Sequence, residues 1–456
     1  MRKNSFAIAG GAFGDEGKGK VVDFLASSLV EKYKEIAAYR YNGGANAGHT
    51  VIFKGDKIIL HHVPSGALIP KSLSILGKGM VLHPADLVYE IKCIQNFSKG
   101  TLPGKIIIDE MATLTLDTHR AYETTLKKWQ TGSAGSTGRG IAPAYADILL
   151  RHPVRVRDLA AKNWKRALSE HFDLYRAHTK GLGEKIERTR VVSLAGKPTM
   201  VGETVVGTKK EFLQKLGRAR RALLPFIKDS LPTLEQLWAR TETPFIFEGA
   251  QGIGLDPRWG VYPDVTASDV AFSGIHSSTE GVVNPKDINV RALTYKATYT
   301  SSLGVRKLPT VMDEDLAKRI REDAAEFGAT TGRPRDIFHL DIPSLSFFSK
   351  VSGATHFILT HLDIAYPEEP IKVCMLYQKD GKEVSYRPDQ EFLSKVKPVY
   401  MSLPAWNGAE IKNSTNTRLP RELKRFLLFF SWALDIVPFM GTTGPERNSV
   451  IALASI

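Results

Sequence analysis

Residues 14–20 read Gly-Asp-Glu-Gly-Lys-Gly-Lys and lie between the apolar run Phe6-Ala-Ile-Ala9 and Val21-Val-Asp-Phe-Leu25. A buried strand that runs through a glycine-rich turn into a helix opens an α/β unit, and few other folds accept it. The glycines let backbone N–H groups approach a phosphate, and the helix start adds its positive end. Lys18 can pair with phosphate oxygens. The usual phosphate-loop spacing fails, because position 12 is Ala and Gly19 stands where a Ser or Thr would hold magnesium. A metal there needs another ligand, and Asp15 is the available carboxylate. A carboxylate against a triphosphate is repulsive unless it binds metal or takes a proton, so Asp15 has one or both tasks. A plain helix cap would also explain one acid at this place.

The alternation of strand, glycine loop and helix recurs along 456 residues. Strands are expected at 5–9, 36–41, 51–61 (with a Lys54-Gly-Asp-Lys57 turn), 105–109, 243–248, 291–299 and 355–360. Helices are expected at 17–28 and from Glu90 onward. The pattern predicts an α/β fold: one large domain over 1–456 with a central, mostly parallel β-sheet, Gly-rich loops at strand ends and a helical insertion over roughly 156–240. No apolar run reaches membrane-spanning length, and the first residues carry no secretory signal. Cys93 and Cys374 form no disulfide framework or metal cluster and read as reduced core thiols, which places the chain in the cytoplasm. The net charge of +14 suits nucleic acid or anionic small molecules. The densest basic stretch, Lys209 to Arg221, has helical spacing and reads as a solvated helix face. No aromatic-interleaved basic repeat points to nucleic acid.

Further loops carry chemistry. Gly43-Gly-Ala-Asn-Ala-Gly-His-Thr50 lets a ligand approach the backbone and offers Asn46 and His49. Gly135-Ser-Thr-Gly-Arg-Gly140 and Gly328-Ala-Thr-Thr-Gly-Arg-Pro-Arg335 join hydroxyls, amides and arginines, which suit phosphate or carboxylate; either could also be an ordinary loop. In Phe247-Glu-Gly-Ala-Gln-Gly252, the Gln251 amide can donate to and accept from a base edge. In Thr360-His-Leu-Asp363, a carboxylate at a strand end can accept two N–H bonds from guanine, or serve as a turn residue.

These loops, together with Thr443-Gly-Pro-Glu-Arg447, follow the order of the motifs of adenylosuccinate synthetases, and the chain resembles that family from residue 14 to 447. The resemblance implies a homodimeric ligase that joins IMP and L-aspartate with GTP hydrolysis and Mg²⁺, on the route from IMP to AMP. It implies Asp15 as the base at N1 and, with the Gly48 carbonyl, as magnesium ligand. His49 would be the acid or charge stabiliser at the transferring phosphate, and Lys18 would hold phosphates. Asn46, Thr137, Gln251, Thr266 and Arg333 would hold IMP, with Arg151 reaching its phosphate across the dimer interface. Ala329, Thr330, Thr331, Arg333 and Arg335 would hold aspartate. The GTP contacts would be Gly14, Glu16, Gly17, Lys18, Gly19, Lys20, Gly48, Thr50, Arg335, His361, Asp363, Thr442, Thr443 and Gly444.

The chain departs from the family at three places. Where the family usually reads TKLD, position 361 is His, which removes an apolar stem over the base. Residues 300–309 depart from STRVGAGPFP: Ser302 replaces an arginine, and Arg306 and Lys307 are new. Asp264 replaces a usual tyrosine just before Thr266, and an extra acid there could alter which purine is accepted. Phage relatives that ligate aspartate to dGMP and can use adenine nucleotides as donor therefore form an alternative. They typically carry Ser at the position of Asp15.

Overall fold

The computed structural model describes residues 2–129, 137–197, 200–303, 306–328, 332–413 and 419–453. Its centre is a ten-stranded sheet. In chain order the strands are β1 (Arg2–Gly10), β2 (Ile36–Arg40), β3 (Ser72–Leu76), β4 (Lys105–Asp109), β5 (Ile227–Lys228), β6 (Phe245–Gly252), β7 (Ile288–Lys296), β8 (His356–Thr360), β9 (Val437–Thr442) and β10 (Val450–Ala452). Across the sheet they run β5-β4-β3-β2-β6-β1-β7-β8-β9-β10. Every pairing is parallel except the last, β9 with β10.

Parallel strands covered on both faces need near-continuous apolar sequence, and β1, β2, β6 and β7 have it. Phe6, Ala7, Ile8 and Ala9 are buried, as are Phe245, Ile246 and Phe247. The helix Lys18–Lys32 (α1) packs Val21, Val22, Leu25 and Ala26 against one face of β1. Because β2, β6, β1, β7, β8 and β9 are adjacent and parallel, their carboxyl ends share one edge of the sheet, where open α/β sheets bind ligands.

The fold agrees with the expected α/β class. The 51–61 segment is a hairpin, His49–Phe53 with Asp56–Leu60, standing apart from the main sheet. Strands β3, β5, β9 and β10 were not expected from the pattern. Segment 156–240 holds four α-helices, but also the antiparallel pair Arg190–Lys197 and Met200–Val205, and it supplies β5 to the edge of the main sheet. On the basic helix Lys209–Leu223, Lys210, Arg218 and Arg221 are exposed, as a solvated face requires, and the other three basic residues are part-buried and paired at its edge. Lys209 pairs with Asp173 at 2.5 Å, Lys215 donates to Val205 O at 2.7 Å, and Arg220 donates to the carbonyls of Leu159 and Ala160 at 2.8 and 3.0 Å. Both cysteines are free, Cys374 fully buried and Cys93 partly so. No helix among the described residues is long and apolar enough to cross a membrane.

His119, Asp147 and His171 lie close enough together to hold a metal. The proton positions argue for a packing cluster instead. His119 Nδ1 accepts from Leu116 N–H at 2.9 Å, so Nε2 carries the proton and donates to Asp147 at 3.0 Å, leaving no lone pair for an ion.

The C-terminal segment is clamped to α1 through charge. Arg447 donates from Nε and Nη2 to the two oxygens of Asp23 at 2.5 and 2.9 Å, and its guanidinium lies 3.9 Å over the Phe53 ring. Burial pushes the Asp23 carboxyl up to about 6 against the pull of Arg447. Removing one partner strands a charge in the interior, so Arg447→Met is expected to cost roughly 3–5 kcal/mol in urea unfolding. A loss below about 1 kcal/mol would show that the clamp is not structural.

Candidate active site

The first loop leaves β1 at Gly10 and enters α1 at Lys18. Gly14, Asp15 and Gly17 take positive φ values of 90°, 59° and 81°. The two acids do different things. Glu16 is buried and folds back into its own loop, where its carboxylate accepts from the amides of Ala12 and Gly14 at 3.2 and 2.7 Å and from Lys18 Nζ at 2.9 Å. Asp15 points outward, its side chain 37 % exposed, and meets Arg335 Nη2 at 2.8 Å. Lys20 is a strut: Nζ donates to the carbonyls of Thr443, Gly444 and Ser449 at 2.9, 2.8 and 2.9 Å, and burial lowers its pKa to about 8.

Gly19 has a steric reason. A Cβ there would stand 2.8 Å from the Cβ of His49, so the Ser or Thr of an ordinary phosphate loop cannot be accommodated. His49 is itself held. Its Nδ1 bonds to Glu248 in the middle of β6, and Glu248 also accepts from Ser65 N and Oγ at 2.7 and 2.8 Å. Burial lowers the His49 pKa. Burial would push the Glu248 carboxyl up, but His49, Arg40 and Ser65 together hold it below its usual range. With Nδ1–H given to Glu248, Nε2 is left for a ligand.

Two positions that could read bases carry unsatisfied buried atoms. Gln251, at φ 61°, receives Ser268 Oγ on Oε1 at 3.3 Å, while its Nε2 has no partner among the described residues. Asp363 Oδ1, just past β8, is equally unpaired. Buried polar atoms are seldom left so, and both suit a ligand that supplies the missing group. His361 sits beside Asp363 at φ 56°, edge-on to Tyr299 at 6.1 Å, and burial lowers its pKa to about 4.

Contacts draw most of the expected site together. Gly17 abuts Thr360, Gly43 abuts Gln251, and Leu362 N–H donates to Thr442 O at 3.0 Å. Thr266 is anchored by N–H to Leu255 O at 2.7 Å. Asn46 Oδ1 accepts from Gly44 N–H at 3.2 Å. Thr137 is exposed, but its neighbour Arg139 turns inward, with Nη1 3.7 Å from the Asp86 carboxylate. Arg151 is exposed at φ 66°, just past the helix Ile141–Leu149, beside Leu149 and Leu150, which are 84 % and 64 % exposed. Arg333 is exposed on a loop whose neck is closed by Arg335 N–H to Glu326 O at 3.0 Å. Ala329, Thr330 and Thr331 lie outside the described residues.

The departures from the motif pack on one another. Arg306 donates to Ser302 Oγ at 2.8 Å, to Leu303 O at 2.7 Å and to Asp264 O at 2.7 Å, with its guanidinium 5.6 Å from the Phe13 ring. The new acid therefore sits beside a new base. Four residues were not anticipated as part of the site: Arg40, Glu248, Lys296 and Glu326. Two of them, Arg40 and Lys296, share a legible signal, a charged residue that terminates an apolar strand.

Fold and edge together define a nucleotide-handling α/β enzyme. A family model described as adenylosuccinate synthetase matches residues 7–451. An adenylosuccinate synthetase of Thermus thermophilus is 33 % identical over 454 residues, 98 % of each chain, and one from Chlorobaculum tepidum is 32 % identical over 97 % of this chain and 96 % of its own. A solved structure of the fully ligated enzyme from Plasmodium falciparum superimposes with a TM-score of 0.84 at 26 % identity, covering 99 % of this chain and 100 % of that one. The succinoaminodeoxyadenylate synthetase of cyanophage S-2L, bound to dGMP and dATP, shares the fold at TM-score 0.57 and 15 % identity, over 100 % and 97 % of the two chains. The chain belongs to the adenylosuccinate synthetase family, enzymes of the carbon–nitrogen ligase class.

The Gly19 contact makes a sharp test. Gly19→Ala is expected to displace His49 and lower turnover by about 10²-fold, with the melting temperature little changed. Activity within about twofold of wild type would show that His49 does not depend on that space.

Proposed function

We propose that the chain ligates IMP and L-aspartate to adenylosuccinate with GTP as phosphoryl donor. One observation carries the reading most directly: the unpaired buried Gln251 Nε2 belongs to a residue beside Gly14 of the loop that presents Asp15, and the unpaired buried Asp363 Oδ1 follows the strand end, Thr360, that Gly17 of the same loop abuts. Asp363 would accept the N1–H and 2-amino protons of guanine, and Gln251 would reach the purine of IMP.

The chemistry follows from the problem. The C6 oxygen of IMP is a poor leaving group. Asp15 takes the N1 proton, the electron pair moves to O6, and O6 attacks the γ-phosphorus as the bond to GDP breaks. The aspartate amine then adds at C6, and the C6–O bond breaks to release phosphate. One hard step becomes two easier ones. His49, oriented by Glu248, stabilises charge on the transferring group through Nε2. Such positioned charge and proton work is typically worth ~10²–10⁴ in rate per group. Arg333 and Arg335 hold the aspartate carboxylates, and the amides of residues 14–20 hold phosphates.

The donor set fits Mg²⁺. Asp15 is a half-exposed carboxylate at the start of α1, and with the Gly48 carbonyl it offers hard oxygen ligands, while Gly19 leaves no room for a hydroxyl ligand. Bound there, the ion would neutralise phosphate charge. The exposed Leu149–Leu150–Arg151 corner supports a homodimer in which Arg151 reaches the neighbouring site. The dGMP reading is weaker, because Asp15 is retained and the Asp264 main chain is engaged by Arg306.

End-point assays crossing IMP or dGMP with GTP or ATP, in the presence of aspartate and Mg²⁺, test the proposal by product mass. Adenylosuccinate from IMP and GTP alone supports it; turnover with dGMP, or faster turnover with ATP, replaces it. Asp15→Asn is expected to abolish turnover, and retained phosphorylation of IMP would remove Asp15 from the base role. Arg333→Leu is expected to raise the aspartate KM by about tenfold or more with a smaller change in kcat. An unchanged KM would place the guanidinium elsewhere.

A further inference from the structure

Behind Asp15 lies a group of charges that the reaction scheme above does not use. Glu326 is 1 % exposed and stands at one foot of the 327–335 loop. Its carboxylate receives four donors: Arg335 Nη1 at 2.6 Å, Lys296 Nζ at 2.5 Å, Tyr299 OH at 2.6 Å and Ser301 Oγ at 3.1 Å. Lys296 is 3 % exposed, is the last residue of β7, and also donates to Ser301 Oγ at 2.5 Å. Arg335, the other foot of the loop, uses Nη1 for Glu326 and Nη2 for Asp15 at 2.8 Å.

Two cations therefore face two carboxylates, and the two ends of Arg335 differ. The Nη1 contact is buried among four donors, where breaking it would take a charge-assisted donor from Glu326 and leave the Arg335 guanidinium without its buried countercharge. The Nη2 contact meets a half-exposed carboxylate, where a charge pair contributes little. The inner arm is fixed and the outer arm is exchangeable. We propose that Glu326, with Lys296 as its counter-ion, is a positioning residue that fixes Arg335 so that only Nη2 moves between Asp15 and an incoming anion. The same pair ties the foot of the amine-donor loop to the end of β7 and, through Tyr299, to the His361 ring, so that loop and donor pocket are held by one set of charges. The proposal rests on the ligase reading, because the anion is the aspartate carboxylate.

The test is steady-state kinetics of full-length Glu326→Gln, Glu326→Asp and Lys296→Met, with each substrate varied in turn and melting temperatures recorded. Glu326→Gln is expected to raise the aspartate KM by about tenfold or more, with the IMP KM within about twofold of wild type. Glu326→Asp is expected to recover part of the loss, and Lys296→Met to move the aspartate KM in the same direction. Should Glu326→Gln not yield folded protein, the split between aspartate and IMP is read in Lys296→Met, whose aliphatic stem keeps the packing. An unchanged aspartate KM in folded protein overturns the proposal. So does a fall in melting temperature with all KM values rising together, which marks a structural role only. Wild-type protein that forms no adenylosuccinate overturns the ligase reading and this proposal with it; active wild type beside an unaltered Glu326→Gln overturns this proposal alone.

Discussion

A charge at the end of a buried parallel strand has to find a partner inside the protein, because water cannot reach it. Arg40 and Lys296 end β2 and β7, Glu248 lies inside β6 in register with Arg40, and all three are buried. Their strands lie within one stretch of the sheet, so the charges fall behind the loops that leave its carboxyl edge. Glu248 takes His49 and, near Arg40, stays ionised; Lys296 takes Glu326. The histidine and the amine-donor loop are thus positioned by the electrostatic needs of the sheet itself. Desolvated charges hold geometry well, because losing one partner costs far more than the pair contributes.

The first loop applies the same logic on a smaller scale. Its two adjacent acids look redundant in a phosphate-binding turn. Glu16 lies inside the turn, satisfying two backbone amides and Lys18, and so supports the shape without facing a ligand. Asp15, forced to a positive φ by the turn, is left outside as the one carboxylate able to meet a substrate or a metal. Gly19 follows from His49 rather than from phosphate binding. The loop resembles a nucleotide-triphosphate loop in glycine content and differs from it because a histidine occupies the place of the hydroxyl.

The departures from the family motif look separate in sequence: an added acid at 264, a lost arginine at 302 and a new arginine at 306. In space they make one contact group, with Arg306 bridging Ser302 and Asp264 over Phe13. A co-adapted set of this kind preserves local charge balance, which argues against a purine pocket re-tuned by a lone acid. His361 is different. Its ring lies next to Tyr299 and within the field of Glu326 and Lys296, so it belongs as much to the charged group behind Asp15 as to the base pocket.

By itself the sequence determined the α/β class, the glycine loops at strand ends and the order of the motifs, because apolar runs and turn residues act locally. It also singled out Asp15, His49, Gln251 and Asp363, since polar residues beside glycines at strand ends are conspicuous. It did not show that Glu16 folds back into its own loop or that Lys20 is a strut to the 443–449 carbonyls. It suggested a solvated basic face at 209–221, which Lys210, Arg218 and Arg221 keep while Lys209, Lys215 and Arg220 are paired at its edge, and a ligand-facing Arg139 that lies against Asp86. Strands β3, β5, β9 and β10 escaped notice for a related reason: a short apolar run becomes a strand only beside neighbours that pair with it. Only tertiary structure decided which charges are buried together, because Glu326 and Lys296 are thirty residues apart in the chain and become partners through the parallel sheet that sets β7 beside the foot of the loop.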